Sequence, residues 1–303
     1  MTNESPTLIK ATFDLGGDLT VRRIGYGAMR LADGPAAPGS DPAAAAIWRA
    51  PTDRAAAIAQ LRRAVEQGVD LIDTADAYAL GAGEELIAEA LHPYDGVAVA
   101  TKAGVVRPGP AEWVPLGHPA YLRQQAELSL RRLRVERIDL LQLHRIDPAY
   151  PLADQLGALR QLQDEGKVRH IGLSEVSAGQ LREAVAITPI AAVNNLYNLT
   201  ARQNEAVVDL TAELGIAFLP FFPVAMGGHA GPQSPVTAVA GELGATPAQT
   251  ALAWLLHRSP TLVPIPGTSS PQHLEENLAA LQLQLSEDQF ARLSALGTED
   301  GTA

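Results

Sequence analysis

Short apolar runs recur along this chain, each followed by a stretch able to form a helix. The runs are IGYGAM (24–29), VDLID (69–73), VAVAT (97–101), IDLLQL (138–143), HIGLS (170–174), AAVNN (191–195), IAFLPF (216–221) and TLVPI (261–265). Between them, Leu152, Leu156, Leu159 and Leu162 recur at spacings of three and four, the signature of one helix face. Leu122, Ala126, Leu130 and Leu133 do the same. Near-continuous apolar strands alternating with helices imply a parallel sheet covered on its faces. Eight such units in about 250 residues match an α/β fold of the (β/α)8 TIM-barrel type in count and length.

The beginning departs from that rhythm. ATFDLGGDLTVRRIG reads as a hairpin turning at Gly16-Gly17, placed to close the N-terminal end of a barrel. Residues 32–51, 104–118 and 222–236 read as long loops on the opposite, C-terminal face, where such barrels build their sites. No linker divides the chain, so one domain over 1–303 is expected. A doubly wound two-domain enzyme is the alternative. GYGAMR and GAGEEL both lack the third glycine that its phosphate-binding turn requires.

Four polar residues interrupt or end the apolar runs. Asp73 and Tyr78 sit in VDLIDTADAY, Lys102 ends VAVATK, and His144 ends IDLLQLH. An acid, a phenol, an amine and an imidazole meet only if three strands end on one face. Lys102 is the sharpest of them. The chain has three lysines, Lys10, Lys102 and Lys167, and an ammonium closing an apolar strand is costly to bury without a partner.

Bulk composition narrows the field. Hydrophobic residues make up 47% and charged residues 19%, the profile of a compact soluble protein. The absence of cysteine removes disulfides and thiolate metal sites. His92, His118, His170 and His257 show no ligand spacing, so no metal is expected, and His170 reads as structural. A net charge of −11 argues against general nucleic-acid binding and against a polybasic membrane patch. No apolar run reaches the roughly 18 residues of a membrane span. MTNESPTLIK shows no secretory pattern, and a cytoplasmic location is expected.

DTADAY, the lysine after VAVAT, and LLQLH together resemble the Asp–Tyr–Lys–His tetrad of the aldo-keto reductases in order and spacing. The resemblance extends to the hairpin, GKVRHIGLS and IPGTSSPQHLEEN, from about residue 13 onward. It implies reduction of an aldehyde or ketone by hydride transfer from a nicotinamide cofactor, with Tyr78 as proton donor. Lys102 would stabilise the phenolate and lower its pKa from near 10, Asp73 would hold Lys102, and His144 would orient the carbonyl oxygen.

For the cofactor, the resemblance implies Ser174, Glu175 and Asn194 at the nicotinamide amide, where the family carries Ser, Asn and Gln. An ionised Glu175 accepts but cannot donate, so the site sits differently or Glu175 points elsewhere. Phe221 falls where the family stacks an aromatic ring, with Phe222 as competitor and Pro223 beside them. A turn at Met226-Gly227-Gly228 would let backbone approach the pyrophosphate. Where many members carry Lys and Arg for a 2′-phosphate, this chain has Gly267 and His273. Thr268, Ser269 and Ser270 at a helix start offer hydroxyls and N–H groups instead, and Glu276 and Asn277 match adenine contacts. The resemblance favours NADPH and leaves NADH open. Trp48 and Trp113 face the expected site from long loops.

The expected partner is a small carbonyl compound, pyridoxal or another small aldehyde among them, and the expected state is a monomer. Two other readings are distinct. One is a nucleotide-binding regulatory subunit with little turnover, as in the family's potassium-channel β-subunits. The other is an unrelated barrel isomerase or lyase using Lys102 as a Schiff base.

Overall fold

Backbone ladder bonds join the apolar runs into a closed ring of parallel strands. The structure is a computed structural model and describes residues 9–32, 47–225, 231 and 233–297. It opens with an antiparallel hairpin of β1 (Thr12–Leu15) and β2 (Leu19–Arg22). Gly16 and Gly17 turn it with φ of 63° and 85°, values that suit glycine. The ring strands are β3 (Tyr26–Gly27), β4 (Leu71–Asp73) and β5 (Ala98–Ala103). A small antiparallel pair follows β5, formed by β6 (Val105–Val106) and β7 (Val114–Pro115). The ring continues with β8 (Ile138–Leu143), β9 (Val168–Ser174), β10 (Ala192–Asn194) and β11 (Ala217–Phe218). Neighbours run β3-β4-β5-β8-β9-β10-β11, all parallel.

Residues 261–266 close the ring as its eighth strand. On one side Phe218 N–H donates to the Thr261 carbonyl (2.9 Å) and Val263 N–H to the Phe218 carbonyl (2.8 Å). On the other, Gly25 N–H donates to Pro264 (3.0 Å) and Gly27 N–H to Pro266 (3.4 Å). Pro264 and Pro266 stand where an N–H would have faced β3, so this seam holds half the usual bonds. The fold is therefore the (β/α)8 barrel, and the doubly wound alternative does not apply.

The hairpin seals the N-terminal end. Leu15 and Val21 are fully buried with Leu71, Ala98, Leu140 and Val263 in the barrel interior. Asp18 in the turn holds His170 (2.6 Å) and Arg169 (3.1 Å) at the start of β9, which gives His170 its structural role. The outer layer comprises α1 (Arg54–Glu66), α2 (Ala82–Leu91), α3 (Pro119–Leu133), α4 (Leu152–Asp164), α5 (Ala178–Ile187), α6 (Glu205–Leu214), α7 (Pro235–Leu243), α8 (Pro247–Arg258), α9 (Pro271–Ala279) and α10 (Glu287–Ser294). The leucine stripes of α3 and α4 are buried against the strands, as their spacing predicts.

Two expectations change. The first strand shrinks to Tyr26–Gly27 because Ala28–Leu31 wind into a 3-10 turn. The loop expected at 104–118 contains the β6–β7 pair. Of the loop expected at 32–51, residues 33–46 lie outside the described residues.

Candidate active site

The C-terminal ends of three adjacent strands gather the four polar residues. Asp73 ends β4, Lys102 is the penultimate residue of β5, and His144 directly follows β8. Tyr78 opens a 3-10 turn, Tyr78–Gly81, that doubles back over the strand ends. That turn holds Ala79 and Leu80 at φ of 48° and 54°, a left-handed conformation that non-glycine residues rarely adopt.

Lys102 Nζ spends its three hydrogens on three oxygens. It donates to Asp73 Oδ1 (2.6 Å), to the Thr74 carbonyl (2.8 Å) and to the Tyr78 hydroxyl (3.4 Å). Its side chain is 1% exposed and that of Asp73 4%. Burial pulls the pKa of the ammonium down, but Asp73 and then Tyr78 outweigh it, and Lys102 holds its proton above the usual lysine pKa. From the sequence, Lys102 is expected to bring Tyr78 below its ordinary pKa. The direction is opposite: burial pushes the phenol up by more than the Lys102 charge pulls it down, and Asp73 adds to the rise. The Tyr78 hydroxyl thus keeps its proton at neutral pH. Burial, then the charges of Lys102, Arg145 and Arg107, push His144 well below the usual histidine pKa. It is a neutral imidazole, and its Nδ1 has no hydrogen-bond partner among the described residues.

Trp113 completes an aromatic wall. Its ring centroid lies 6.2 Å from Tyr78 and 5.9 Å from His144, both edge-on. The Arg107 guanidinium stacks 3.7 Å above Trp113 and 5.4 Å from Trp48. Trp113 therefore flanks the site, with Trp48 linked to it through Arg107. A cavity of about 810 Å³, including its open mouth, is lined by Tyr78, Trp113, His144, Ser174, Asn194 and Phe221, among others. A groove beside it shares Tyr78 and Phe221 and adds Arg30, Asp73, Pro223 and Gly267. Phe222 lines both.

The expected cofactor residues separate into groups. Ser174 and Asn194 face the cavity, with one Asn194 amide hydrogen committed to the Leu219 carbonyl (3.0 Å). Glu175 also borders the cavity, but its carboxylate accepts the Leu196 N–H (3.2 Å) and its φ is 56°. It turns toward the loop after β10, the second of the two alternatives its charge left open. Phe221, Pro223 and Gly267 line the groove. Thr268, Ser269 and Ser270 lead from Gly267 into α9. There the Ser270 hydroxyl accepts from His273 N–H (3.4 Å), and His273 itself is exposed. Glu276 accepts from Gln272 (2.8 Å), and the next residue, Asn277, is buried. Gly227 and Gly228 lie outside the described residues.

Three residues of the site are not among those the sequence singles out. Gln142 donates to Asp73 Oδ2 (3.1 Å). As a polar residue inside an apolar run, it carried the same signal as Lys102. Arg30 and Arg107 carried none, because their placement depends on which loops the barrel brings together. Among the described residues, no group of three or more His, Cys, Asp or Glu side chains is arranged to hold a metal. No helix among them is long and apolar enough to cross a membrane.

The sequence model of the Aldo/keto reductase family matches residues 23–298. A protein of Schizosaccharomyces pombe described as an uncharacterized oxidoreductase is 46% identical over 285 residues, 94% of this chain and 89% of its own length. Pyridoxine 4-dehydrogenase of Escherichia coli K12 is 42% identical over 296 residues, covering 95% of this chain and 99% of that protein. Among solved structures, the aldo/keto reductase of Klebsiella pneumoniae in complex with NADP and acetate superposes with a TM-score of 0.79 at 27% identity. That match covers 97% of this chain and 98% of that one.

Proposed function

Because the chain belongs to the aldo/keto reductase family, we propose that it works as a single barrel domain reducing a small aldehyde or ketone to the alcohol with NADPH. The observation that carries this reading is the Asp73–Lys102–Tyr78 contact series at the rim of an aromatic cavity.

The lining suits a nicotinamide dinucleotide. The Ser174 hydroxyl and the Asn194 amide offer polar partners for a carboxamide, and Phe221 offers a ring beside it. Gly267 packs so tightly on the first strand that an added Cβ would lie 2.5 Å from the Gly27 carbonyl oxygen. No lysine fits there without a backbone shift. Arg30 lines the same groove, its Cγ 3.3 Å from that Cβ position, and makes no hydrogen bond or ion pair with the described residues. We assign Arg30 as the cation that meets a cofactor phosphate in place of the missing lysine.

When bound, the reduced cofactor supplies a hydride to the carbonyl carbon. The chain's own residues manage the oxygen. The neutral imidazole of His144 can donate one N–H to it and fix its direction. Tyr78 gives its hydroxyl proton to the growing alkoxide. Lys102 stabilises the phenolate that remains, and Asp73 keeps the ammonium in place. The phenolate then regains a proton from solvent.

The walls formed by Tyr78, Trp113, His144 and Phe221 favour a flat ring, and a relative sharing 42% of its residues acts as pyridoxine 4-dehydrogenase. Pyridoxal is therefore the first substrate to test. The test follows NADPH absorbance at 340 nm across pyridoxal, aromatic and aliphatic aldehydes. Turnover with pyridoxal or another aromatic aldehyde supports the reading. Cofactor binding without turnover on any carbonyl overturns it.

A further inference from the structure

Gln142 lies in the row of barrel residues that holds Lys102, with Lys102 paired to Gln142 and Gln142 to Gly172 across β5, β8 and β9. Its side chain is fully buried and reaches back to β4, where Nε2 donates to Asp73 Oδ2 at 3.1 Å. The two oxygens of Asp73 are thereby held from two sides, Oδ1 by Lys102 and Oδ2 by Gln142. A carboxylate only accepts, so the amide nitrogen must face it. The amide oxygen is then turned away, and it has no hydrogen-bond partner among the described residues. Such an orphan acceptor is unfavourable in a core. A leucine, as at Leu140 and Leu143 on the same strand, would fill the space without it. Gly172 leaves the room this side chain needs: an added Cβ would sit 2.9 Å from Gln142 Cγ.

We infer that Gln142 is a positioning residue whose amide clamps the second oxygen of Asp73 and so fixes where Lys102 sets its charge against Tyr78. This rests on the reductase reading given above. A glutamine with an unmet acceptor at this position is accounted for by that clamp and not by packing.

Gln142→Met keeps the length of the side chain and removes the donor. Its first readout needs no turnover. The chain has three lysines, so protein labelled with [ε-13C]lysine gives three side-chain signals. In Gln142→Met the Lys102 signal moves while those of Lys10 and Lys167 stay. The second readout is kinetic: kcat falls about tenfold, equivalent to ~1.4 kcal/mol of barrier, with cofactor Kd within about twofold of wild type. The rising limb of alcohol oxidation moves to higher pH, because a displaced ammonium stabilises the phenolate less. Gly172→Ala, which pushes on the same side chain from behind, reproduces these effects, and the double variant is no worse than either single one. An unmoved Lys102 signal overturns the inference whether or not the protein reduces any carbonyl. So does a variant that only melts earlier, with kcat and pH limb unchanged. Failure of the wild type on every carbonyl overturns the reductase reading alone, since the lysine spectrum still decides the clamp.

Discussion

Lys102 Nζ stands 2.6 Å from Asp73 Oδ1 in a place almost closed to water. Breaking such a pair from one side leaves an uncompensated charge in the barrel. Lys102→Met is therefore expected to cost roughly 3–5 kcal/mol in urea unfolding. The double variant Lys102→Met/Asp73→Asn should recover a large part of that loss while staying inactive. A double variant no more stable than Lys102→Met alone would show that the pair is not coupled in this way.

Acid should act on the buried titrating groups with opposite signs. His144 is held neutral below its usual pKa, so the unfolded chain binds its proton first as pH falls through about 6.5. Wild-type stability is lost there on its account. Relative to wild type, His144→Gln should gain stability between pH 7.5 and 5, by at most ~1.4 kcal/mol per pH unit. Asp76 runs the other way. Burial, then the nearby charge of Glu84, push its carboxyl well above the usual range. The folded state thus binds its proton more readily, and Asp76→Asn should gain on wild type as pH rises from about 4. Urea midpoints across pH give both slopes, and parallel curves for all three proteins would contradict the assignment.

Cofactor choice should reside in Arg30. Arg30→Ala is expected to weaken NADPH binding roughly tenfold, the scale of one exposed charge-assisted hydrogen bond. NADH binding should change little if the phosphate met is the 2′ one. Fluorescence titration of both cofactors separates the cases. An equal loss for both would move the contact of Arg30 to the pyrophosphate, and no loss for either would remove it from the site.

Glu175 occupies a left-handed backbone position that asparagine tolerates better. Glu175→Asn should tighten cofactor binding several-fold, since an amide can donate to the nicotinamide carbonyl. Stability should change by less than about 1 kcal/mol, because relief of backbone strain offsets the lost bond to Leu196 N–H. Weaker cofactor binding in this variant would mean that the Leu196 contact shapes the site.

The barrel was legible because each of its strands is an apolar run long enough to stand out. Even TLVPI could be read, since Pro264 affects only the seam toward β3. The tetrad was legible through Lys102, a rare residue type in a costly place, and through the order of its partners. Gln142 breaks an apolar run as Lys102 does, but a glutamine carries no fixed charge to mark the cost of burying it, and its partner Asp73 emerges only from the fold. Arg30 escaped for a different reason. It meets Gly267 only because the eighth strand closes onto the first, a contact that local spacing does not encode. The direction of the Tyr78 shift also escaped, since spacing reveals a neighbouring charge but not how completely water is shut out.

The proton donor itself can be tested by single-turnover hydride transfer from NADPH to pyridoxal in the wild type and in Tyr78→Phe, with cofactor affinity measured alongside. The expected result is unchanged NADPH affinity and a transfer rate reduced by about 10²–10⁴, the usual contribution of a general acid. Transfer at the wild-type rate in Tyr78→Phe would contradict it.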